Sequence, residues 1–293
     1  MHKTVLLQEA IEGLNLKEGS WVVDATFGGG GHSLEICRKY KNVKIIALDQ
    51  DKNALEKAES KFKDCQISFH HTNFRDLDKV LEKEGVKEVD GIIFDLGLSS
   101  DQLENSGRGF SFLKDEPLLM TLKENPLPED VTAYDVVNSW SEESLADIIY
   151  GYGEEKYGRR IAKGIAEARK RVKIKTSFDL VKIISEGVPA RYKQGRLHFA
   201  TRTFQAIRIA VNDELGALSE GLEKSFIFLK KGGRMLVITF HSLEDRVVKR
   251  FYKNKENNGL ARLVNKKVIL PSDSEIRNNP RARSAKLRIL SKP

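Results

Sequence analysis

The chain contains 293 residues with a net charge of +8; 40% of the residues are hydrophobic and 31% are charged. This composition is typical of a soluble protein with one or two domains, and no apolar run approaches the roughly 20 residues that span a bilayer. The first residues lack the apolar segment of a signal peptide, so we expect a cytoplasmic protein that does not bind membranes.

The chain has two cysteines, Cys37 and Cys65. They are too few for a disulfide framework, and they lack the spacing of metal ligands. We therefore expect both to be small packed residues in a reducing compartment, and we expect no metal site.

The stretch Val22–Ser33 predicts a nucleotide-binding turn. An apolar strand pattern stops at Asp24, glycines occupy positions 28–31, and a helical spacing of apolar residues begins after them. Glycine lets the backbone turn sharply and approach a ligand closely, so this order of strand, loop and helix favours a nucleotide site in an open α/β sheet. A glycine turn without a ligand is the alternative at this point. We expect His32 or Ser33 to cap the first turn of the helix.

Two further predicted strands also end on acids. Val43–Asp49 and Val89–Asp95 are apolar runs that each stop at an aspartate. Because ligands bind beyond the carboxyl ends of parallel strands, we expect Asp24, Asp49 and Asp95 to meet at one edge of the sheet. Asp49 follows the glycines by about 20 residues, the spacing at which an acid accepts hydrogen bonds from ribose hydroxyls.

The remaining predicted elements complete the sheet around a helical insertion. Phe74 follows a predicted strand and either packs against an adenine ring or closes the core. Residues 109–198 show helical periodicity without strands, which indicates the insertion. The other predicted elements are helices over 53–62, 77–84, 201–229 and 241–252, and strands over 66–70, 234–240, 262–270 and 285–290.

Basic residues are concentrated in the segments 159–175, 191–208 and 277–288, in which Glu167 is the only acid. A run of charge is often only a solvated face, but several runs without compensating acids favour a surface that binds phosphates. The candidate RNA-binding residues are Arg159, Arg160, Lys163, Arg169, Lys170, Arg171, Arg202, Arg281 and Arg283.

The glycine loop fits neither a dinucleotide nor a nucleoside triphosphate. The dinucleotide motif needs a glycine or alanine at its third position for close helix–strand packing, whereas this chain has Ser33 there. A P-loop would need a lysine directly after the glycines, and none follows them. Asp24 would also be unfavourable beside a pyrophosphate. S-adenosylmethionine carries an amino group and a sulfonium charge but no phosphate, so this ligand would tolerate the acidic edge.

Short motifs extend in order from one end of the chain to the other. They are His2 with Val5–Leu7, Asp24–Gly28, Gly30–Ser33, Asp95–Leu103, Arg108–Phe112, Tyr152–Glu155, Ala200–Ala206, Asn212–Leu215, Phe240–Arg246 and Asn279–Ala285. With these motifs the chain resembles the MraW family of bacterial ribosomal RNA small-subunit (cytosine-N4)-methyltransferases.

The resemblance implies a class I S-adenosylmethionine-dependent methyltransferase with a Rossmann-like α/β sheet. It implies a discontinuous methyltransferase domain over 1–108 and 199–293, and a basic, helical, substrate-binding domain inserted over 109–198. The implied reaction methylates the N4 amino group of a cytidine in the decoding region of 16S ribosomal RNA, in free RNA or in the assembled small subunit. The implied cofactor contacts are Gly30, Gly31, His32, Asp49, Phe74, Asp95 and Gln102.

Methyl transfer to N4 requires mainly positioning and electrostatic stabilisation, because the sulfonium is already a good electrophile. An acceptor for the amino hydrogens would make the conjugated amine more nucleophilic, and Asp95 or the carbonyl groups of the loop that follows it are the first candidates. His241 and Asp245 are second candidates, although His241 would equally suit a helix cap. The target base must leave its stack, so loop or single-stranded RNA is the expected substrate.

Two departures from the family pattern keep alternatives open. Leu119 and Thr121 stand where the family usually has an aspartate and an arginine, and Phe199 replaces a usual proline. The alternatives are a diverged paralogue of the family, an RNA-binding ribosome assembly factor with little turnover, and an amino-methyltransferase that acts on another substrate.

Overall fold

The computed structural model describes residues 3–293, apart from the side chain of Ser100, so that His2 of the N-terminal motif lies outside the described residues. No helix within the described residues is long and apolar enough to cross a membrane. The strands are β1 Trp21–Asp24, β2 Lys44–Asp49, β3 Gln66–His71, β4 Val89–Asp95, β5 Leu229–Thr239, β6 Arg262–Leu263 and β7 Lys286–Ser291. The helices are α1 Leu7–Leu14, α2 Gly31–Lys39, α3 Lys52–Glu59, α4 Leu77–Lys83, α5 Ser100–Asn105, α6 Ala133–Ser139, α7 Glu142–Gly151, α8 Gly158–Arg171, α9 Ser177–Gly187, α10 Ala190–Lys193, α11 Thr201–Asn212, α12 Glu214–Phe228, α13 Ser242–Asn257 and α14 Asp273–Asn278.

The strands form a single sheet in the order β3-β2-β1-β4-β5-β7-β6. Strands β1 to β5 pair in parallel, whereas β7 runs antiparallel to both β5 and β6. The strand order reverses between β1 and β4, which is where open α/β sheets bind their ligands. The carboxyl ends of β1, β2 and β4 lie side by side there, so Asp24, Asp49 and Asp95 meet at one edge as expected.

Helices cover both faces of the sheet, as the apolar strand interiors require. On one face, α4, α12 and α13 contribute Leu81, Leu222 and Val248 to a buried core. On the other face, α1 and α2 contribute Ile11 and Ile36. The predicted Rossmann-like α/β sheet with its parallel strands is therefore confirmed.

The chain divides into two compact units. One comprises the residues up to Ser99 together with Leu215–Pro293, and the other comprises Ser100–Glu214. The first unit contains the sheet, and the second contains α5 to α11. The helical unit thus begins earlier and ends later than the predicted boundaries at 108/109 and 198/199, in part because α11 packs against α6 and α7.

The prediction of one long helix over 201–229 is wrong, because the chain forms two helices there, α11 and α12. They are separated at Asp213, whose backbone is left-handed with a φ of 46°. The side chain of Asn212 accepts a hydrogen bond from Leu122 N at 2.8 Å and donates one to Met120 O at 2.8 Å. These tertiary hydrogen bonds engage the end of α11 and accompany the turn into α12.

Cys37 and Cys65 form a disulfide, so the expectation of two separate packed cysteines is wrong. Cys37 lies near the end of α2, and Cys65 immediately precedes β3. Their Cα atoms are 5.9 Å apart, although the residues are 28 positions apart in the chain.

Candidate active site

The glycine loop, Phe27–Gly31, connects β1 to α2 and needs its glycines for two different reasons. Gly28 and Gly30 both have positive φ values, of 52° and 72°. A Cβ on Gly30 would lie only 2.4 Å from the Phe27 ring, so no side chain fits at this position. A Cβ on Gly28 would meet only Thr26 O, at 3.9 Å, within the described residues. The loop is therefore packed against the Phe27 ring at Gly30, whereas Gly28 leaves room for a ligand.

An N-terminal arm, Lys3–Leu6, packs against the start of α2. A Cβ on Gly31 would lie 1.8 Å from Thr4 Oγ1. The Nε2 atom of His32 is 3.2 Å from Val5 O, and the arm is also hydrogen-bonded to α14. The arm thus packs against the end of the glycine loop and the first residues of α2.

We expect Gly31→Ala to lower the free energy of unfolding by about 1–3 kcal/mol, because the added methyl group would overpack the contact with Thr4. Urea unfolding measures the loss. Thr4→Ala removes the closest atom, Oγ1, so the double variant should regain part of the stability. Gly151→Ala is the control, since a Cβ there meets no described atom within 4 Å. Equal stability of Gly31→Ala and the wild type would contradict this packing.

Asp24 is buried, with 2% of its surface exposed. It accepts hydrogen bonds from Ser33 Oγ at 2.6 Å and from Thr26 N at 3.4 Å. Burial raises the pKa of Asp24 to about 6, although both hydrogen bonds oppose the shift. Ser33 is thus engaged with Asp24, and Gly30 precedes α2 without a side-chain cap. The expectation that His32 or Ser33 caps this helix is therefore wrong.

Asp24→Asn is expected to stabilise the protein at pH 7.5. The folded state holds the proton on Asp24 more tightly than the unfolded state does. The protonated carboxyl therefore stabilises the fold at low pH, and this stabilisation is lost as pH rises from about 4 to 6. Asparagine keeps an acceptor for Ser33 but carries no charge. We expect a gain of about 2–3 kcal/mol in the free energy of unfolding at pH 7.5. Most of the gain should disappear at pH 4, and urea titrations at both pH values measure it. A loss of stability at pH 7.5 would contradict this account.

Asp49 ends β2 and connects it to the glycine loop. Its Oδ2 accepts a hydrogen bond from Gly28 N at 2.6 Å, and its Oδ1 accepts one from Asp51 N at 2.8 Å. Burial raises the pKa of Asp49, and these backbone hydrogen bonds limit the rise. Each carboxylate oxygen has a second lone pair, so Asp49 can also accept hydrogen bonds from a ligand.

Asp95 ends β4, and its backbone N–H donates to Thr26 Oγ1 at 2.6 Å. Its Oδ2 lies 3.7 Å from Nδ1 of His32, which is itself buried. Its Oδ1 is buried and has no hydrogen-bond partner within the described part of the chain. Burial, followed by the negative charges of Asp24 and Glu244, raises the pKa of Asp95 well above its usual range. A buried acceptor without a donor is costly, so Oδ1 is suited to a ligand N–H.

His241 caps the first turn of α13. Its Nδ1 accepts a hydrogen bond from Glu244 N at 3.4 Å. The buried Glu244 carboxylate returns the contact by accepting from Phe240 N at 2.8 Å and from His241 N at 3.3 Å. These reciprocal bonds form a capping box. Within the protein, His241 therefore makes the contacts of a helix cap.

Asp245 is held by two basic residues of β7. Its Oδ1 accepts from Arg288 Nε at 2.7 Å, and its Oδ2 lies 3.3 Å from Lys286 Nζ. Burial alone would raise the pKa of Asp245, but the hydrogen bonds and charges of Arg288 and Lys286 lower it below its usual value. A carboxylate stabilised in this way is a weak base, so its arrangement suits the attachment of α13 to β7.

Phe74 and Gln102 lie in different units. The ring of Phe74 packs edge to face against Phe94, with 5.4 Å between the centroids, and contacts the core. Within the protein, Phe74 therefore packs as a core aromatic residue, which was one of its two expected roles. Gln102 is on α5 and is 9% exposed.

The candidate RNA-binding residues have different environments. Arg169 donates to Val137 O at 3.0 Å, and Arg202 donates to Glu154 O at 2.8 Å, so both guanidinium groups also have a structural contact. The exposed candidates are Arg159, Arg160, Lys163, Lys170 and Arg171 on α8, and Arg281 and Arg283 on the 3₁₀ turn Pro280–Ser284.

Sequence reasoning missed Thr4, Thr26 and Glu244. Thr4 could not be found, because its contact with Gly31 depends on the path of the arm. Thr26 lies beside the glycines, but nothing local indicates that its hydroxyl would bind the end of β4. Glu244 had a usable signal: it stands three residues after His241, which is the spacing of a capping box.

The sheet order with one antiparallel strand, the glycine loop at the switch point and the acids beside it define a class I methyltransferase fold. The chain matches the MraW methylase family over residues 1–293, and it belongs to that family. It is accordingly an S-adenosylmethionine-dependent methyltransferase.

Two known proteins illustrate the similarity. The chain is 46% identical, over 290 residues and 98% of both chains, to the ribosomal RNA small subunit methyltransferase H of Sulfurihydrogenibium sp. (strain YO3AOP1). A solved rRNA methylase from Streptococcus thermophilus is 13% identical with a TM-score of 0.47, and the match covers 100% of this chain and 98% of that one.

Proposed function

We propose that the chain methylates the N4 amino group of a cytidine in the decoding region of small-subunit ribosomal RNA. The observation that carries the proposal is the buried Oδ1 of Asp95, which lacks a donor within the described residues at the ligand-binding edge of the sheet. The 46% identity to a ribosomal RNA small subunit methyltransferase supports the same substrate class.

The residues at this edge fit S-adenosylmethionine, which supplies an electrophilic methyl group when bound. Asp49 is suited to the ribose hydroxyls, because its carboxylate already orders the loop and retains free lone pairs. The open side of Gly28 permits a close approach of the backbone. The acidic edge complements the sulfonium and ammonium charges. The other proposed cofactor contacts are Gly30, Gly31, His32, Phe74, Asp95 and Gln102.

Asp95 is the proposed acceptor for the N4 amino group. A hydrogen bond from the amine to Oδ1 would raise the electron density on the nitrogen and so make the amine more nucleophilic. The raised pKa of Asp95 makes it a stronger base than an ordinary carboxylate. Once the nitrogen has gained its fourth bond, Asp95 can take the surplus proton, which leaves a neutral methylamino group. Thr26 and His32 hold the backbone and the side chain of Asp95 in place.

His241 and Asp245 are assigned supporting roles in this proposal. His241 and Glu244 fix the start of α13, and Glu244 adds negative charge near Asp95. Asp245 attaches the same helix to β7. Neither residue is needed as a base, because Asp95 has both the unpaired oxygen and the raised pKa.

The exposed basic residues of α8, with Arg281 and Arg283, are the proposed phosphate contacts, and their contribution should weaken with salt. The proposed partner is small-subunit ribosomal RNA, free or in the assembled subunit, and this substrate implies a cytoplasmic location. The Cys37–Cys65 disulfide is unusual for a reducing compartment, although some intracellular proteins contain disulfides.

Transfer of label from S-adenosylmethionine tests the substrate class. The purified protein is incubated with small subunits, free 16S ribosomal RNA, transfer RNA and duplex DNA. Label in the ribosomal RNA of either of the first two substrates is the expected result. Label confined to transfer RNA, DNA or protein would favour an amino-methyltransferase for another substrate. Cofactor binding by calorimetry without any transfer would favour an assembly factor, and either outcome would contradict the proposal.

A further inference from the structure

A cluster of aromatic and basic side chains lies in the helical unit, in the turn before α8, on the first turn of α8 and on α10. We name Lys156, Tyr157, Arg160 and Tyr192 the tyrosine cluster. The two tyrosine rings meet edge to face with 5.1 Å between their centroids. Both rings are partly exposed, whereas Lys156 and Arg160 are exposed.

A buried carboxylate orients the two tyrosines. Glu155 is 0% exposed, and its two oxygens accept from Tyr192 Oη at 2.6 Å and from Tyr157 N at 2.9 Å. Burial, together with the hydrogen bond to Glu155, raises the pKa of Tyr192 to about 12, so its hydroxyl stays a neutral donor. The Tyr192 hydroxyl is thus committed to Glu155, and only the ring is left to face a ligand.

Two cations lie close to these rings. The ammonium of Lys156 lies 5.1 Å from the Tyr157 ring and 5.3 Å from the Tyr192 ring. The guanidinium of Arg160 lies 5.9 Å from the Tyr157 ring. In the chain, exposed Arg191 and Lys193 stand on either side of Tyr192, and Glu154 is the exposed acid nearest to the cluster in sequence.

From this arrangement we propose that the tyrosine cluster is a stacking site for an unpaired base of the RNA substrate. Every base has a π face that an aromatic ring can stack on, and cations beside the ring suit the flanking phosphates. Rings that the protein already orients lose little conformational entropy on binding. The cluster therefore provides base contacts that the basic face of α8 alone does not, and this inference rests on the proposed RNA substrate.

Binding measurements in which both the protein and the RNA are varied test the proposal. Anisotropy measures the affinity of the full chain for a short labelled single-stranded RNA and for the same RNA with abasic sugars. Tyr157→Ala should weaken binding of the intact RNA about 5- to 100-fold. It should have little effect on the abasic RNA, because no base is left to stack. Tyr157→Phe should retain the wild-type affinity, since the ring is kept.

Two further variants separate stacking from folding. Tyr157→Leu fills the space without a π face, and it should lose affinity as Tyr157→Ala does while unfolding at the wild-type temperature. Tyr134→Ala, on a different helix of the same unit, is the matched tyrosine control and should bind normally. Unchanged affinity of Tyr157→Ala and Tyr157→Leu, or an equal loss with abasic RNA, would overturn the stacking site while the wild type still methylates ribosomal RNA. A wild type that neither binds nor methylates RNA would overturn the proposed function, and the stacking site with it.

Discussion

Asp95→Asn should slow methyl transfer about 10²- to 10⁴-fold under single-turnover conditions with saturating cofactor and small subunits. The variant keeps the size of the side chain but cannot take the proton that the methylated nitrogen must lose. The wild-type rate should also rise with pH as Asp95 ionises, because burial and the charges of Asp24 and Glu244 raise its pKa. The variant should lack this dependence.

Asp90→Asn is the matched control for the Asp95 variant. Asp90 is an aspartate of the same strand, where it accepts a hydrogen bond from Trp21 N at 2.8 Å, close to the opposite end. Its variant should transfer methyl groups at about the wild-type rate. If Asp95→Asn retained the wild-type rate and pH profile, Asp95 would not be the acceptor for the amino group.

Asp49→Ala is expected to weaken S-adenosylmethionine binding by about 1–3 kcal/mol, or roughly 5- to 150-fold in Kd. The reason is the loss of charge-assisted hydrogen bonds to the ribose. The loop also loses the acceptor of Gly28 N, which lies 2.6 Å from the carboxylate. Isothermal calorimetry measures the change.

A comparison of two ligands identifies the contact. S-adenosylhomocysteine shares the ribose but lacks the sulfonium charge, so a ribose contact predicts the same loss for both ligands. A loss confined to S-adenosylmethionine would instead indicate a general electrostatic effect. Asp49→Asn keeps one acceptor and should fall between the wild type and the alanine variant. Unchanged affinity for both ligands would remove Asp49 from the site.

The parallel part of the sheet could be predicted because its strands are short apolar runs bounded by polar residues. Val89–Asp95 is such a run, and its position as a strand was confirmed. The meeting of Asp24, Asp49 and Asp95 at one edge followed from a general property of parallel sheets. The local sequence pattern was sufficient to predict the strands that are buried in the sheet.

The pattern was insufficient where distant residues decide the outcome. The turn between α11 and α12 at Asp213 is accompanied by two hydrogen bonds between the side chain of Asn212 and the backbone of Met120 and Leu122. The environments of Asp24 and Asp95 look alike in the sequence. Only the partners that the fold provides separate them, since Asp24 accepts from Ser33 whereas Oδ1 of Asp95 accepts from no described group.

The identity of the methylated nucleoside distinguishes transfer to N4 of cytidine from every other methylation. Small subunits or ribosomal RNA lacking the modification are treated with the protein and S-adenosylmethionine, digested to nucleosides and analysed by mass spectrometry. We expect N4-methylcytidine, at one position in the decoding region, and none with Asp95→Asn on the same timescale. Methyl groups found only on a ring carbon, on a ribose or on another base would contradict the proposed function.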